Sequence, residues 1–145
     1  MFARMKGINP LISVELNKMV LEESESILSE QGKMFTVQPC KASKKRKLGM
    51  CYSNAAFYMQ KGYEYVEGYI EDKKNAIKIA HAWNVDKNGN HIDFTLENPE
   101  NYNYFGMVIP TRSVYGVGLQ NGGLWYCVLP YLNDVIYPTE QHKQV

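Results

Sequence analysis

Ile79-Ala80-His81-Ala82-Trp83-Asn84-Val85-Asp86-Lys87-Asn88-Gly89-Asn90-His91-Ile92-Asp93-Phe94-Thr95-Leu96 reads as two strands joined by a tight turn. Asp86-Lys87-Asn88-Gly89 suits a three-residue hairpin loop, a type I turn with Gly89 in the left-handed region forming a bulge. In that register Asp86 faces Asn90, Trp83 faces Asp93 and His81 faces Thr95. His81 and Asp93 then share a face as diagonal neighbours, about 7–8 Å apart and within reach of an imidazole and a carboxylate. Trp83 and Thr95 share that face, and Ala80, Ala82, Ile92, Phe94 and Leu96 form an apolar set on the other. A two-residue turn at Asn88-Gly89 would slip the register by one and separate His81 from Asp93. The clean apolar set favours the bulge.

Upstream, Tyr63 to Ile70 alternates like a strand, and Glu71-Asp72-Lys73-Lys74-Asn75 turns the chain into the strand that begins at Ile77. Before it, Gly49-Met50-Cys51-Tyr52-Ser53-Asn54-Ala55-Ala56 opens a helix. The chain from Tyr52 to Lys61 lacks glycine and proline, and Gly62 stops it. A cysteine in the first turn has backbone N–H groups and the helix dipole directed at its sulfur, which favours the thiolate. The same N–H groups can serve a developing oxyanion. Lys44-Lys45-Arg46-Lys47 is read as a solvated surface loop rather than a nucleic-acid or import signal, being short and isolated. A cationic loop before the cysteine would also suit an acidic substrate. Met34 to Gln38 is a short β-prone run closed by Pro39. Asn9-Pro10 starts a packing helix whose apolar residues run from Leu11 to Leu28 and which Gly32 ends.

Downstream, Tyr104 to Ile109 is expected as a strand stopped by Pro110. Val114 to Leu119 and Leu124 to Leu129 flank Gln120-Asn121-Gly122-Gly123 as a second hairpin, and the tail follows Tyr137. Cys127 falls in the second of those strands. Gly116 and Gly118 lack the strand–helix context of a phosphate loop.

The 145 residues suit a single domain over 1–145, with a core at about 34–110 and a C-terminal β-hairpin extension at about 111–137. Hydrophobic residues at 45% and charged residues at 21% are ordinary for a globular chain, and a net charge of +1 gives no global field toward DNA or an anionic membrane. No apolar run is long enough to span a bilayer and no leader is evident, so a cytoplasmic protein without membrane or nucleic-acid partners is expected. Cys40, Cys51 and Cys127 fit neither a disulfide framework nor a zinc motif. A metal site on Cys51, His81 and His91 lacks the usual spacing, and no cofactor is expected. Eleven tyrosines are many, and tyrosine is common at recognition surfaces.

The order cysteine, histidine, acid carries a chemistry. A thiol needs deprotonation to attack, an imidazole takes the proton and returns it to the leaving group, and an acid fixes the imidazole tautomer. Cys51 is the candidate nucleophile, His81 the base and acid, and Asp93 the orienting group. Gln38, Tyr52, Asn54 and Trp83 are weaker candidates for substrate binding or the oxyanion. His91 lies on the same face as His81, near the exposed turn, and competes for the role of base. The structural alternative is a buried small cysteine and a strand histidine with no chemistry.

Gly49-x-Cys51-x-x-Asn54-Ala55, Val66-Glu67-Gly68-Tyr69, His81-Ala82-Trp83, Ile92-Asp93-Phe94-Thr95 and Tyr104-Phe105-Gly106 resemble the transglutaminase-like and papain-like cysteine hydrolases and transferases, in a small form common in bacteria and phages. The likeness covers roughly residues 49–110. Tyr52 stands where papain-like peptidases usually carry tryptophan. The resemblance implies an α+β fold, with an N-terminal helix and a cysteine-bearing helix on an antiparallel β-sheet of about five or six strands. It implies hydrolysis, deamidation or acyl transfer through a thioester, on a protein, peptide or small amide or ester substrate. The alternative is a catalytically silent binding protein of the same fold, with a tyrosine-rich face that engages a host or cellular protein.

Overall fold

The computed structural model describes residues 14–40, 50–121 and 127–134. It is an α+β fold of three helices and one six-stranded sheet. The chain runs α1 (Val14–Gln31), β1 (Lys33–Phe35), β2 (Val37–Pro39), α2 (Cys51–Met59), β3 (Glu64–Asp72), β4 (Lys78–Val85), β5 (His91–Asp93), β6 (Tyr102–Ile109) and α3 (Thr111–Gln120). Short 3₁₀ turns occupy Pro99–Asn101 and Leu129–Asp134. The expected helix start at Asn9-Pro10, the basic loop and the tail after Tyr137 lie outside the described residues.

The strand order is β1-β6-β3-β4-β5-β2. β1 and β2 stand at opposite ends of that order, yet only Thr36 separates them in the chain. Two residue steps span at most about 7 Å. The two edges of the sheet therefore meet, and the sheet is rolled nearly into a barrel. The expected single strand Met34 to Gln38 is thus two strands with different partners. β1 pairs antiparallel with β6, and β2 pairs parallel with β5. The sheet is mixed, not antiparallel throughout.

Rolling the sheet makes two cores. Inside lie Val66, Ile70, Ile79, Trp83, Val85, Leu96 and Tyr104. Outside, Tyr65, Ala80, Ala82, Met107 and Ile109 pack under Val20 and Leu28 of α1, Ala55, Ala56 and Met59 of α2, and Val114 and Val117 of α3. The alternation of each strand divides its side chains between these layers. Small alanines on the outer face of β4 let α2 lie close.

The bulged register is the one observed. Gly89 has φ +86°, its N–H donates to the Asp86 carbonyl at 3.1 Å, and the Asp86 N–H donates to the Asn90 carbonyl at 2.9 Å. Asn84 pairs with Ile92 and Val85 with His91. The strand does not continue to Leu96, however. The Asp93 carboxylate accepts the N–H groups of Thr95 and Leu96 at 2.7 and 2.9 Å, turning the chain after Asp93. Leu96 consequently joins the inner core instead of the outer set, and Thr95 turns out toward α2, where its hydroxyl accepts from Asn54 Nδ2 at 2.8 Å.

The expected C-terminal β-hairpin extension at 111–137 is also corrected. Val114 to Leu119 belongs to helix α3, which follows Pro110, whose carbonyl accepts the N–H groups of Ser113 and Val114 at 2.9 and 3.2 Å. Ser113, Val114, Val117 and Gly118 are buried, and Val114, Val117 and Gly118 keep a helical i, i+3, i+4 spacing. Cys127 and Val128 are not in a strand, and Leu129 begins a 3₁₀ turn.

Candidate active site

Three elements bring the site together. α2 begins at Cys51 itself, so the sulfur sits on the first helical residue. Nothing in the Met50 side chain caps that end, and its first amides have no carbonyl of their own helix to bond. β4 carries His81 on its inner face. β5 pairs with β4 only at Asn84 and Val85. Among the described residues the earlier part of that edge has no strand beside it, and Asn17 of α1 fills in, accepting the Ala80 N–H at 2.7 Å and donating to the Lys78 carbonyl at 3.1 Å.

His81 Nε2 lies 2.7 Å from Asp93 Oδ2, with both side chains fully buried. Asp93 is saturated with donors. Tyr104 O–H donates to the same Oδ2 at 2.6 Å, while the Thr95 and Leu96 N–H groups hold Oδ1. Burial would raise this carboxyl, but the His81 charge and these hydrogen bonds outweigh it and hold it below its ordinary value. Burial likewise opposes a charged His81. The Asp93 carboxylate and the neighbouring Cys51 sulfur overcome that and push the imidazole up to about 10. The other ring nitrogen, Nδ1, has no partner at full hydrogen-bond geometry among the described residues. The Cys51 sulfur lies close enough to be among the groups that raise the imidazole. Cys51, His81 and Asp93 are therefore brought together as a contiguous set.

The remaining candidates divide. Trp83 is buried in the barrel, its Nε1 donating to His91 Nδ1 at 2.9 Å and its ring set edge-on to Tyr104 at 4.9 Å and stacked near His81 at 6.2 Å. It supports the base rather than lining a surface. Asn54 is buried and ties α2 to Thr95. Tyr52 is buried, its hydroxyl without a partner among the described residues, and burial, with the Glu67 charge next, pushes its proton affinity up. Gln38 is exposed on β2 opposite Ile92, on the other face from Asp93. His91, expected to be exposed, is buried against Phe35 with rings stacked at 4.0 Å, and burial lowers its pKa. Its Nδ1 already accepts from Trp83, so that nitrogen is not available as a base.

Two neighbours of the site, Tyr104 and Glu67, stand in the quoted stretches Tyr104-Phe105-Gly106 and Val66-Glu67-Gly68-Tyr69, which gave neither a role. Tyr104 reaches Asp93 across the barrel from β6, which the sequence shows only as an inward position of an alternating strand. Glu67, on the outer face of β3, is 1% exposed beneath the helices. It accepts Tyr65 O–H at 2.7 Å and the Val128 and Leu129 N–H groups at 2.7 to 3.0 Å. Burial lifts Glu67 to about 7 against those bonds, and burial plus the Glu67 charge lifts Cys127 to about 12. Cys127 is thus a poor nucleophile near neutral pH.

Among the described residues no cluster of three or more His, Cys, Asp or Glu could hold a metal ion. No described helix is long and apolar enough to cross a membrane. A groove of about 450 Å³ between α1 and the outer sheet face, floored by Leu28, Tyr69 and Phe105, shares no lining residue with the site. Comparison with known protein families, with characterised proteins and with solved structures found no match.

Proposed function

We propose that the protein is a thiol hydrolase or acyl transferase of papain-like or transglutaminase-like design, acting on an amide, ester or thioester. Cys51 attacks the carbonyl carbon, the leaving group departs with a proton from the imidazolium of His81, and a thioester forms on the sulfur. Water or an acceptor amine then attacks the thioester, giving its proton to His81, and Cys51 leaves as thiolate. Asp93 holds the imidazole by Nε2, so that Nδ1 serves the sulfur. The amides at the start of α2 are the nearest donors for the oxyanion. The observation that carries this reading is the buried 2.7 Å His81–Asp93 pair with Nδ1 left for a cysteine at a helix N-terminus.

One observation favours the second reading, a silent binding protein that meets a host or cellular protein. Cys51 is 1% exposed and His81 0%, so both are covered where a large substrate would have to reach them. Alkylation by iodoacetamide, with sites mapped by mass spectrometry, separates the two. For the enzyme, Cys51 is labelled more than tenfold faster than Cys127 at pH 7, and His81→Asn reduces that rate by at least tenfold. Equal rates at the two cysteines, with no effect of His81→Asn in a folded variant, would sink the enzyme and leave the binder.

A further inference from the structure

Asp93 presents one oxygen, Oδ2, to two donors from different strands: His81 Nε2 at 2.7 Å and Tyr104 O–H at 2.6 Å. We propose that Tyr104 is a positioning residue of this site, sharing Oδ2 with His81 so that the carboxylate holds the imidazole in place but retains its proton less tightly than an unshared carboxylate would. The inference rests on the assignment of His81 as base. A base in this cycle must give its proton back, and its affinity works best near the operating pH. An unshared buried carboxylate at hydrogen-bond distance would trap the imidazolium. A hydroxyl on the same oxygen draws off part of that charge. Tyr104 is built for this task. Its one hydroxyl proton goes to Oδ2, its ring is 1% exposed and locked edge-on against Trp83, and burial and the Asp93 charge keep it un-ionised.

The groups facing His81 are Asp93 from β5, Cys51 from α2 and Tyr104 from β6, with Tyr102 facing Asp93 from the barrel rim. Of these, Tyr104 is hydrogen-bonded to the carboxylate without bonding an imidazole nitrogen.

The test is Tyr104→Phe, which keeps the ring against Trp83 and removes the hydroxyl, with Tyr104→Leu as a second variant lacking the donor. Proton and ¹⁵N NMR of His81, assigned by its loss in His81→Asn, is the readout. The expected result is a downfield move of the His81 Nε2 proton at pH 7 and a rise of about one unit in the imidazole midpoint, on the scale of one charged hydrogen bond. A merely structural tyrosine would change the melting temperature and leave both signals in place. An unmoved Nε2 proton and midpoint in a folded variant overturns the role of Tyr104. The catalytic reading fails by a different result, His81-independent labelling of Cys51, so the two failures are told apart.

Discussion

Glu67 shows at the scale of one residue how a polar side chain organises an apolar layer. Its carboxylate lies under the helices, yet it accepts from Tyr65 and from two successive amides of the 127–129 segment, joining β3 to a chain segment some sixty positions away. Removing the acceptor leaves three buried donors. Replacement by leucine, close in volume, should therefore cost about 2–4 kcal/mol in urea unfolding at pH 5, since each orphaned donor costs about 1–3 kcal/mol and relaxation recovers part. Tyr65→Phe deletes one donor with its bond and should cost about 1 kcal/mol. If Glu67→Leu is as stable as the parent, the carboxylate is not what fixes that segment. Strand alternation revealed an acid at this position but gave no reason to bury it, because its partners come from distant sequence.

The same limit explains what was legible at the scale of elements. The hairpin was readable because the turn residues and the apolar alternation are local, and they agree on one register. The cysteine-bearing helix was readable because glycine closes it, with Gly62 at φ +95° just after its last turn. Val114 to Leu119 reads as a strand because Tyr115, Val117 and Leu119 alternate with Gly116 and Gly118, while Val114, Val117 and Gly118 also fit the helical i, i+3, i+4 set. The division at Thr36 was invisible because β1 and β2 differ only in their partners. Two glycines make contrasting predictions. Gly89 has its positive φ but open space where a side chain would go, so Gly89→Ala pays only backbone strain, about 1 kcal/mol, and keeps the register. At Gly106 a Cβ would meet the Trp83 ring and the Glu67 carbonyl, both at 2.7 Å. Gly106→Ala should cost about 2–3 kcal/mol by overpacking and displace Trp83, the ring stacked near His81. Thermal unfolding gives the order, and a shifted tryptophan emission for Gly106→Ala alone completes it. Equal losses without an emission change would contradict the packed barrel interior.

At the scale of the whole molecule, the buried titratable groups set a pH dependence that surface charge cannot mask, with net charge only +1. Glu67 has its proton affinity raised from 4.5 to about 7 by folding. Its share of stability is complete below pH 4.5 and is lost as pH rises through 7, on the order of 3 kcal/mol for a shift of that size. His81 is raised from 6.5 to about 10, so the stability from its pairing with Asp93 is complete below pH 6.5 and is lost as pH rises through 10. Asp93 is depressed below 3.8, and its share is present above that value and lost as pH falls through the folded one. Glu67 and His81 together make stability fall as pH rises above about 4.5, and His91, lowered by burial, offsets part of that fall below 6.5. Urea unfolding should thus give a higher free energy at pH 5 than at pH 8. Glu67→Gln should flatten the fall between 5 and 7 while leaving the fall above pH 8, which belongs to His81. His81→Asn should do the reverse. A parent protein more stable at pH 8 than at pH 5 would mean that Glu67 and His81 are not both buried as the rolled sheet requires.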